Sequence, residues 1–380
     1  MTPTKPHILI LFSDTGGGHR SAAEAIIEAL DLEYPGRFST EMVDFFKEHA
    51  PPPFNQAPGS YSHMADFPNI WGLGYHLSNS PRRVRAMIRL AWPIIRRDAF
   101  RLVEEHPCDL YLSVHPIING PLLTALRGRR KPYITVVTDL VSTHALWFNR
   151  KASLVIVPSE PARQNGLKLG LQEKQLRVLG LPVSNRFCQP AGDRKALRKG
   201  LGWDDGKPIV LMVAGGDGMG PMQTTAEAIN TAGLDVSMVL IAGRNERLRR
   251  RLESVKWSCE VKIYGYTTQM PEFMRAADIL ITKAGPGTIS EAFIAGLPMI
   301  LYSYMPGQED GNIDYVVTEG AGVWAPRPDL VVNALRHWLD DPKALKAAVY
   351  ACQNLAKPDA ARQIAREIAA SIAQAGDYGF

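Results

Sequence analysis

Residues 7–30 read HILILFSDTGGGHRSAAEAIIEAL, and they contain a strand, a turn and a helix in direct succession. The run His7–Ser13 is apolar without polar alternation, which is typical of a strand buried on both faces of a parallel sheet. The glycines that follow permit positive φ angles and a close backbone approach to a ligand. The apolar spacing over Ser21–Leu30 then predicts an amphipathic helix. This order is that of a βα unit, and it predicts a parallel α/β sheet.

A second unit of the same kind follows later in the chain. Residues 208–214 form another apolar strand, GGDGMG at 215–220 supplies the glycine turn, and a helix begins at about Met222. Shorter apolar strands separated by helical patterns are predicted at Asp109–Val114, Tyr133–Val137, Leu154–Val157, Ser237–Ala242, Val261–Ile263, Ile279–Thr282 and Met299–Leu301. Alternating strands and helices indicate right-handed crossovers. The predicted fold class is therefore α/β, with two Rossmann-like parallel-sheet domains facing a central cleft at the carboxyl ends of their strands.

The domain limits follow from these strand arrays. We predict a first domain over residues 1–187, a linker over 188–207 and a second domain over 208–360. The chain from Lys343 to about Ala375 has a helical pattern. Its last part, residues 361–380, is predicted to form a C-terminal helix that packs back on the first domain.

The composition is that of an ordinary folded protein. Of 380 residues, 46% are hydrophobic and 21% are charged, which excludes general disorder, collagen and coiled coil. The four cysteines stand singly, so the sequence predicts neither a disulfide framework nor a CxxC zinc site. No apolar run approaches the ~20 residues that cross a bilayer, and the start MTPTKPHILILFSD has no cleavable signal. We expect a cytosolic chain.

The positive charge is concentrated in the first half. Residues 1–186 carry 22 Lys and Arg against 16 Asp and Glu, whereas the remainder carries 21 against 22. Such an asymmetry is compatible with an anionic membrane, with nucleic acid, or with no specific partner. The arginines alternate with aliphatic rather than stacking aromatic side chains, and no nucleic-acid-binding module is recognisable. We therefore expect no nucleic acid partner.

The densest basic segment is residues 81–97, PRRVRAMIRLAWPIIRR. It combines basic and apolar residues in a pattern that suits an anionic headgroup layer, and a tryptophan suits the membrane interface. The candidate membrane contacts are Arg82, Arg83, Arg85, Arg89 and Trp92. The alternative is a solvated helix whose apolar side packs on its own domain, since amphipathic helices usually face a core.

His19 lies at the mouth of the first glycine turn. An imidazole there can take a proton from a hydroxyl at neutral pH, and the first helical turn offers free N–H groups to an anion. The alternative is a histidine that caps or packs locally. A dinucleotide site is disfavoured, because the last glycine of G-x-G-x-x-G and the later ribose-binding acid are absent.

The second candidate site lies in residues 281–312, ITKAGPGTISEAFIAGLPMILYSYMPGQEDGN. Gly285 to Gly287 set a turn after a strand, and Thr288 with Ile289 is expected to offer free N–H groups to a diphosphate. Glu291 lies one turn into the helix, where a carboxylate can accept both hydroxyls of a ribose. The polar loop with Gln308, Glu309 and Asn312 suits sugar hydroxyls. The alternative is a capped surface helix followed by a solvated loop.

These segments together resemble the monogalactosyldiacylglycerol synthase family. The resemblance rests on LFSDTGGGHRSAAEAI, VTDLVSTHALWF, AGGDGMGPM, IAGRNERL, YGYTTQMPEFMRAADILITKAGPGTISEA and GLPMILYSYMPGQEDGN, which occur in this order over about residues 7–325. Members are inverting glycosyltransferases related to the enzyme that adds N-acetylglucosamine in lipid II synthesis. The resemblance implies a GT-B fold, a nucleotide-sugar donor in the C-terminal domain, a diacylglycerol acceptor on the N-terminal side and no essential metal in the active site.

The resemblance also implies roles for single residues. His19 matches the catalytic histidine, with Gly17 and Gly18 in its glycine loop. Asp139 and His144 lie in the segment expected at the cleft, Asp139 as a catalytic residue and His144 on the acceptor side. On the donor side it implies Gly265 and Tyr266 for uracil, Gly287, Thr288 and Ile289 for the diphosphate, Glu291 for the ribose, and Gln308, Glu309 and Asn312 for the sugar. Arg244 or Lys283 is expected near the diphosphate, and Asp14 or Asp139 is expected to orient the imidazole.

The activity that follows from the resemblance is transfer of a hexose to 1,2-diacylglycerol with inversion. The expected donor is UDP-galactose, with UDP-glucose possible, and the expected product is a β-monohexosyldiacylglycerol. A soluble-acceptor glycosyltransferase or a UDP-sugar epimerase on the same scaffold is the alternative. Plant members carry a chloroplast transit region that this sequence lacks, so we expect a bacterial, cytoplasmic enzyme that is peripheral on the inner face of the plasma membrane. The oligomeric state is not predicted.

Overall fold

The structure, a computed structural model, describes residues 5–14, 17–51, 55, 68–129, 131–190, 192–203, 206–216, 218 and 220–376. Parts of both predicted glycine turns (Gly16, Asp217 and Met219) and residues 377–380 of the predicted last helix lie outside these ranges. The chain divides into two compact units. Unit 1 comprises Met1–Asn185, Pro306–Gln308 and Asp359–Phe380, and unit 2 comprises Arg186–Met305 and Glu309–Pro358.

Unit 1 contains a six-stranded parallel sheet with the strand order β2-β1-β3-β4-β5-β6. Its strands are β1 (His7–Phe12), β2 (Ser39–Asp44), β3 (Leu110–Ser113), β4 (Tyr133–Val136), β5 (Leu154–Val157) and β6 (Leu176–Val178). Its first helices are α1 (Gly18–Glu33), α2 (Phe45–Glu48), α3 (Pro68–Ser78), α4 (Pro81–Glu105), α5 (Pro116–Ala125) and α6 (Glu160–Lys168), with 3-10 turns at Ala145–Trp147 and Glu173–Gln175.

The sheet of unit 1 is buried on both faces. Successive side chains of a strand point to opposite faces. Leu9 and Leu11 accordingly pack in one cluster with residues of α4 and α5, whereas Ile8 and Ile10 pack in another with residues of α1. This is why the first strand is uniformly apolar in the sequence.

Unit 2 contains a second six-stranded parallel sheet with the order β12-β11-β10-β7-β8-β9. Its strands are β7 (Ile209–Val213), β8 (Ser237–Ile241), β9 (Val261–Tyr264), β10 (Ile279–Lys283), β11 (Met299–Ser303) and β12 (Gly322–Trp324). Its helices are α7 (Arg194–Leu201), α8 (Met222–Thr231), α9 (Glu246–Glu253), α10 (Met270–Ala276), α11 (Pro286–Ala295), α12 (Asp310–Thr318), α13 (Pro328–Asp340) and α14 (Pro342–Leu355).

The predicted linker, residues 188–207, differs from the structure. It contains helix α7 and belongs to unit 2. The buried Arg198 of α7 forms an ion pair of 2.6 Å with Asp278 and donates to the carbonyl oxygen of Ala276 at 2.8 Å. These bonds attach the helix to the second sheet, and nothing in the local sequence pattern reveals them.

The helical pattern predicted from Lys343 to Ala375 is broken in the structure. Helix α14 ends at Leu355, Ala356 is extended, and a last helix, α15 (Ala360–Ala375), begins after Pro358. The break follows from the proline, which disfavours helical geometry in the residue before it. Ile364 and Ile368 of α15 are buried in the α1 face of unit 1, and Arg366 pairs with Glu33 of α1 at 2.7 Å.

No helix in these described ranges is both long enough and apolar enough to cross a membrane.

Candidate functional site

His19 lies in the first turn of α1, directly after the glycine turn. Gly17 has φ 77°, a conformation that favours glycine, and a Cβ added at Gly17 or Gly18 would meet nothing within 4 Å. The Nδ1 atom of His19 lies 2.7 Å from the carbonyl oxygen of Val114 and 3.0 Å from the Oγ1 atom of Thr138. A carbonyl oxygen only accepts, so Nδ1 carries the proton. The unprotonated Nε2 is therefore the basic atom of the ring.

The surroundings of His19 keep it neutral. Burial lowers the pKa of the imidazole to about 4. Its ring packs edge-on against His115, with 4.6 Å between the ring centroids, and Trp147 lies 6.1 Å away. A neutral imidazole with a fixed tautomer is suited to accept a proton from a hydroxyl.

Neither acid that was expected to orient His19 does so. Asp14 accepts bonds from Arg20 and Lys47, each at 2.6 Å, and the Arg20 guanidinium holds the pKa of Asp14 well below its usual range. A backbone carbonyl and a hydroxyl take the orienting role instead. The expectation that Asp14 or Asp139 orients the imidazole is therefore wrong, because Nδ1 of His19 is bonded to the carbonyl oxygen of Val114, the residue after β3.

Asp139 has a different set of partners in unit 1. Its carboxylate accepts from the indole Nε1 of Trp147 at 2.6 Å and from the side-chain amide of Gln308 at 2.9 Å. The residues Pro306–Gln308 belong to unit 1 by their contacts. Asp139 thus fixes two side chains of the candidate site, and a direct part in the reaction stays a prediction.

His144 is buried and bonded through both ring nitrogens. Its Nδ1 accepts from the N–H of Leu146 at 3.1 Å, so Nε2 carries the proton and lies 3.0 Å from Ser78 Oγ. Burial lowers its pKa to about 4. His144 therefore caps the turn Ala145–Trp147 and joins it to α3, and its predicted contact with the acceptor remains untested.

Helix α4 presents both of the faces that the sequence left as alternatives. Val84 and Ile95 are buried and Trp92 packs against the core, so one side does face its own unit. On the outside Leu90 is 78% exposed, and Met87 and Ile94 lie beside it at helical spacing. The predicted arginines Arg82, Arg83, Arg85 and Arg89 are all exposed.

In unit 2 the loops after β7, β8 and β9 come together. Gly243 has φ 62°, and a Cβ there would lie 2.5 Å from the carbonyl oxygen of Gly216. The N–H of Arg244 donates to that same oxygen at 2.9 Å. The Arg244 guanidinium lies 4.9 Å from the ring centroid of Tyr266, which follows Gly265 and is 63% exposed. An exposed aromatic ring with a stacked cation is a suitable platform for a nucleobase.

The turn after β10 opens helix α11 with free N–H groups. Gly285 is the N-cap and makes no side-chain cap bond, and Pro286 has no N–H. The N–H groups of Gly287 and Thr288 are thus free of the helix ladder, and a Cβ on Gly287 would meet open space. Ile289 N donates to Gly285 O at 3.0 Å, so the expected free N–H of Ile289 is wrong: the fifth residue already closes the first helical bond.

Lys283 lies beside both glycine turns of unit 2. A Cβ on Gly215 would lie 3.4 Å from Lys283 Cε, and one on Gly285 would lie 3.2 Å from its Nζ. The ammonium pairs with the buried Glu309, whose other oxygen accepts from the N–H of Met305 at 2.7 Å. The Lys283 ammonium and the amino end of α11 therefore lie close together, an arrangement that can bind a diphosphate.

The predicted sugar loop is held by internal bonds. Glu309 is engaged by Lys283, Asn312 is buried and donates to the carbonyl oxygen of Ala284 at 2.9 Å, and Gln308 donates to Asp139. These bonds attach Glu309 and Asn312 to the turn after β10 within unit 2, and Gln308 to Asp139 within unit 1. Contacts of the three side chains with a sugar stay predictions.

Glu291, in helix α11, has an unusually high pKa for a carboxyl group. Burial raises the pKa of its carboxyl group to about 8. Desolvation is the only cause of the shift, with no cation to offset it. The group is therefore largely protonated at neutral pH in the unliganded protein, and a ligand that donates hydroxyls to it would favour the carboxylate.

The sequence missed two partners of the candidate base, Val114 and Thr138. A backbone carbonyl 95 positions away has no sequence signal. Thr138 did have a sequence signal, since it follows β4 at the carboxyl end of the sheet, where the ligand-facing groups of α/β proteins lie.

Comparisons with known proteins agree with this architecture. A family model for monogalactosyldiacylglycerol (MGDG) synthase matches residues 19–183, and one for the glycosyltransferase family 28 C-terminal domain matches residues 220–364. The chain is 38% identical to a probable chloroplastic monogalactosyldiacylglycerol synthase of Nicotiana tabacum, covering 95% of this chain and 70% of that protein. It is also 38% identical to the chloroplastic synthase of Spinacia oleracea, covering 96% and 73%.

Solved structures share the fold. MurG of Acinetobacter baumannii matches with a TM-score of 0.62 at 15% identity over 96% of this chain and 99% of that one. Alr3699/HepE of Anabaena, in complex with UDP-glucose, matches with a TM-score of 0.56 at 18% identity over 96% and 100%. A putative UDP-N-acetylglucosamine 2-epimerase of Listeria monocytogenes matches with 0.64 at 15% over 98% and 97%. The predicted GT-B fold is confirmed.

The expected location is not supported. The curated relatives at 37–38% identity are chloroplastic synthases of plants. This finding contradicts the expectation of a bacterial enzyme on the inner face of the plasma membrane.

Proposed function

This chain is a hexosyltransferase of the monogalactosyldiacylglycerol synthase family, and from that premise we propose that it transfers galactose from UDP-galactose to 1,2-diacylglycerol with inversion. The observation that carries the proposal is the tautomer of His19, with Nδ1–H on the Val114 carbonyl and a basic Nε2. A base with this protonation state is what activation of an alcohol needs.

The proposed step is a single displacement. His19 Nε2 takes the proton of the free diacylglycerol hydroxyl as its oxygen forms a bond to the anomeric carbon. The bond from that carbon to the diphosphate oxygen breaks on the opposite face, and UDP leaves with the electron pair. The product is a β-galactosyl lipid, and the proton remains on Nε2 until it passes to solvent or to the released diphosphate.

We assign donor binding to unit 2. The N–H groups of Gly287 and Thr288, with Lys283 beside them, would hold the diphosphate and stabilise the charge that develops on the leaving UDP. Glu291 would accept the ribose hydroxyls, and Tyr266 with Arg244 would hold the uracil. No metal ion is part of this proposal.

We assign lipid access to the outer side of α4. Its exposed apolar residues and arginines form an amphipathic surface that can lie in an anionic headgroup layer, where each arginine contributes roughly 1 kcal/mol. Docking there would bring an insoluble acceptor to unit 1.

The deciding experiment offers UDP-galactose and UDP-glucose separately to the full chain with vesicles that contain diacylglycerol. We expect UDP release only when diacylglycerol is present, a product with the mass of a monogalactosyl lipid, and a β linkage by NMR. The H19A variant is the matched control.

Two outcomes would redirect the proposal. Preference for UDP-glucose would change the donor and leave the mechanism intact. UDP release or sugar isomerisation without any lipid would favour an epimerase, which the likeness in fold to the Listeria structure keeps as the alternative.

A further inference from the structure

A cluster of histidines and acids lies beside β2, an edge strand of the unit 1 sheet. Helix α4 ends at Glu105, and His106 leads towards the amino end of β3. His49 follows α2, and its side chain reaches the same place. His49, Glu105 and His106 each present a ligand atom, and these atoms all lie within 4.8 Å of one another.

The protonation of His106 is fixed by Glu41 of β2. The Nδ1 atom of His106 lies 2.9 Å from Glu41 Oε1, and a carboxylate accepts, so Nδ1 carries the proton. The lone pair of His106 is therefore on Nε2. That atom faces Nε2 of the buried His49 at 3.2 Å.

We propose that His49 and His106 bind a divalent transition metal, zinc by preference, through their Nε2 atoms, with Glu105 as the third ligand and water as the fourth. Two nitrogens that bind a tetrahedral zinc at ~2.0–2.1 Å lie about 3.3 Å apart. The separation in the structure is 3.2 Å. Glu105 is half-exposed, so its side chain can move inward to complete the site.

The metal-free arrangement leaves a polar atom unsatisfied. With the His106 Nε2 lone pair as acceptor, His49 has to donate from its own Nε2, and its Nδ1 is then a bare acceptor. That Nδ1 is buried and has no hydrogen-bond partner among the described residues. A metal on Nε2 leaves the proton on Nδ1 instead, so that Nδ1 is no longer a bare acceptor.

The hydrogen bonds around the two histidines resemble those around the histidine ligands of metal sites. Histidine ligands usually donate their second N–H to a carboxylate, which fixes the ring and raises its basicity. Glu41 does this for His106, and its other oxygen lies 3.2 Å from His7 Nε2 at the start of β1. Because its bonds join four separate elements, we assign it a structural role: it ties the ends of α2 and α4 to the first two strands.

The test is zinc titration of the full, EDTA-stripped chain in competition with a chromophoric chelator. A C188S/C259S background removes the two half-buried thiols that could bind zinc on their own. We expect one zinc per chain, a 10–100-fold loss of affinity in E41Q, and loss of the site in H49A and H106A. H337A, which removes an exposed histidine of α13, is the matched control and should bind as the parent does.

Circular dichroism first establishes that each variant is folded, and H106N replaces any alanine variant that is not. X-ray absorption of the loaded chain should show two imidazole nitrogens at ~2.0 Å. Less than one zinc per chain, an H49A/H106A chain that binds as the parent does, or an E41Q affinity equal to the parent's would overturn the proposal.

Discussion

The carbonyl oxygen of Val114 lies 2.7 Å from Nδ1 of His19 and decides which nitrogen of that ring is basic. The bond joins the turn after β3 to the first turn of α1, so the candidate base is set by the sheet and not by an acid. Thr138 Oγ1, at 3.0 Å, can accept from the same N–H. The ring is thus held from two strands before any substrate arrives.

Replacing His19 should therefore remove catalysis without removing the donor. We expect H19A to lower kcat about 10²–10⁴-fold, the usual contribution of a general base. UDP affinity, measured by calorimetry, should stay within about twofold of the parent because the proposed donor residues lie in unit 2. Parental turnover in H19A would remove His19 from the mechanism.

The low pKa of His19 predicts an acid-sensitive fold. The unfolded chain takes up a proton near pH 6.5, whereas the folded chain does so only near pH 4, so lowering the pH between these values favours unfolding. We expect the parent to lose up to about 3 kcal/mol relative to H19Q over that interval. Denaturant titrations of both proteins at several pH values measure the difference, and parallel curves would contradict the pKa assignment.

The raised pKa of Glu291 predicts that donor binding releases a proton. Ribose hydroxyls donate, so they favour the carboxylate, whereas the free protein is largely protonated at pH 7. We expect the calorimetric enthalpy of UDP binding to depend on the ionisation enthalpy of the buffer in the parent and not in E291Q. A binding enthalpy that does not depend on the buffer in the parent would show that Glu291 does not accept the ribose hydroxyls.

Replacing Glu291 by Gln should also stabilise the unliganded protein. Between pH 4.5 and 8 the unfolded chain loses the Glu291 proton and the folded chain retains it, so this group destabilises the fold increasingly as the pH rises. E291Q removes that cost, and we expect a gain of about 1–3 kcal/mol at pH 7 alongside weaker UDP binding. Urea denaturation at pH 4 is the control, because the unfolded carboxyl is then largely protonated as well and the gain should nearly vanish.

The outer side of α4 should control vesicle binding. Changing Arg82, Arg85 and Arg89 to Gln removes roughly 3 kcal/mol of attraction, and we expect binding to vesicles rich in phosphatidylglycerol to weaken about 100-fold at low salt. L90S/I94S should reduce flotation even at high salt. Y350S, which changes an equally exposed apolar residue of unit 2, is the control.

The pair of Lys283 and Glu309 should be essential to the fold of unit 2. In K283M the carboxylate of Glu309 stays buried and, among the described residues, accepts only from Met305 N–H, which is expected to cost about 3–5 kcal/mol. K283M/E309Q should recover part of that loss, since no buried charge remains. A K283M protein with parental thermal stability would show that solvent reaches Glu309 freely.

The interior strands could be predicted from the sequence and three of the edge strands could not. Runs such as Ile209–Val213 are apolar because both faces are covered. The missed strands β2, β6 and β12 lie at sheet edges, and their sequences STEMVD, LRV and GVW are polar or short. Their pairing depends on a neighbouring strand and leaves no local pattern.

The candidate site was predictable where it depends on glycine. The turns at Gly17 and Gly285 follow from conformational rules, and they placed His19 and Thr288 at helix starts. The bonds of Val114 to His19 and of Lys283 to Glu309 were not predictable, because each depends on how separate loops pack. The expectation for Ile289 was wrong because the fourth residue after the N-cap already donates to the N-cap carbonyl oxygen.

Helix α15 gives the molecule a particular order of maturation. Its isoleucines fill the α1 face of unit 1, yet they are encoded after every strand of unit 2. During translation the strands of the first sheet are synthesised before those of the second. The apolar groove on the α1 face of unit 1 stays uncovered until α15 has also been synthesised. The nascent amino-terminal half is therefore a natural client for chaperones, and a chain that stops before residue 360 would leave that groove permanently open to aggregation.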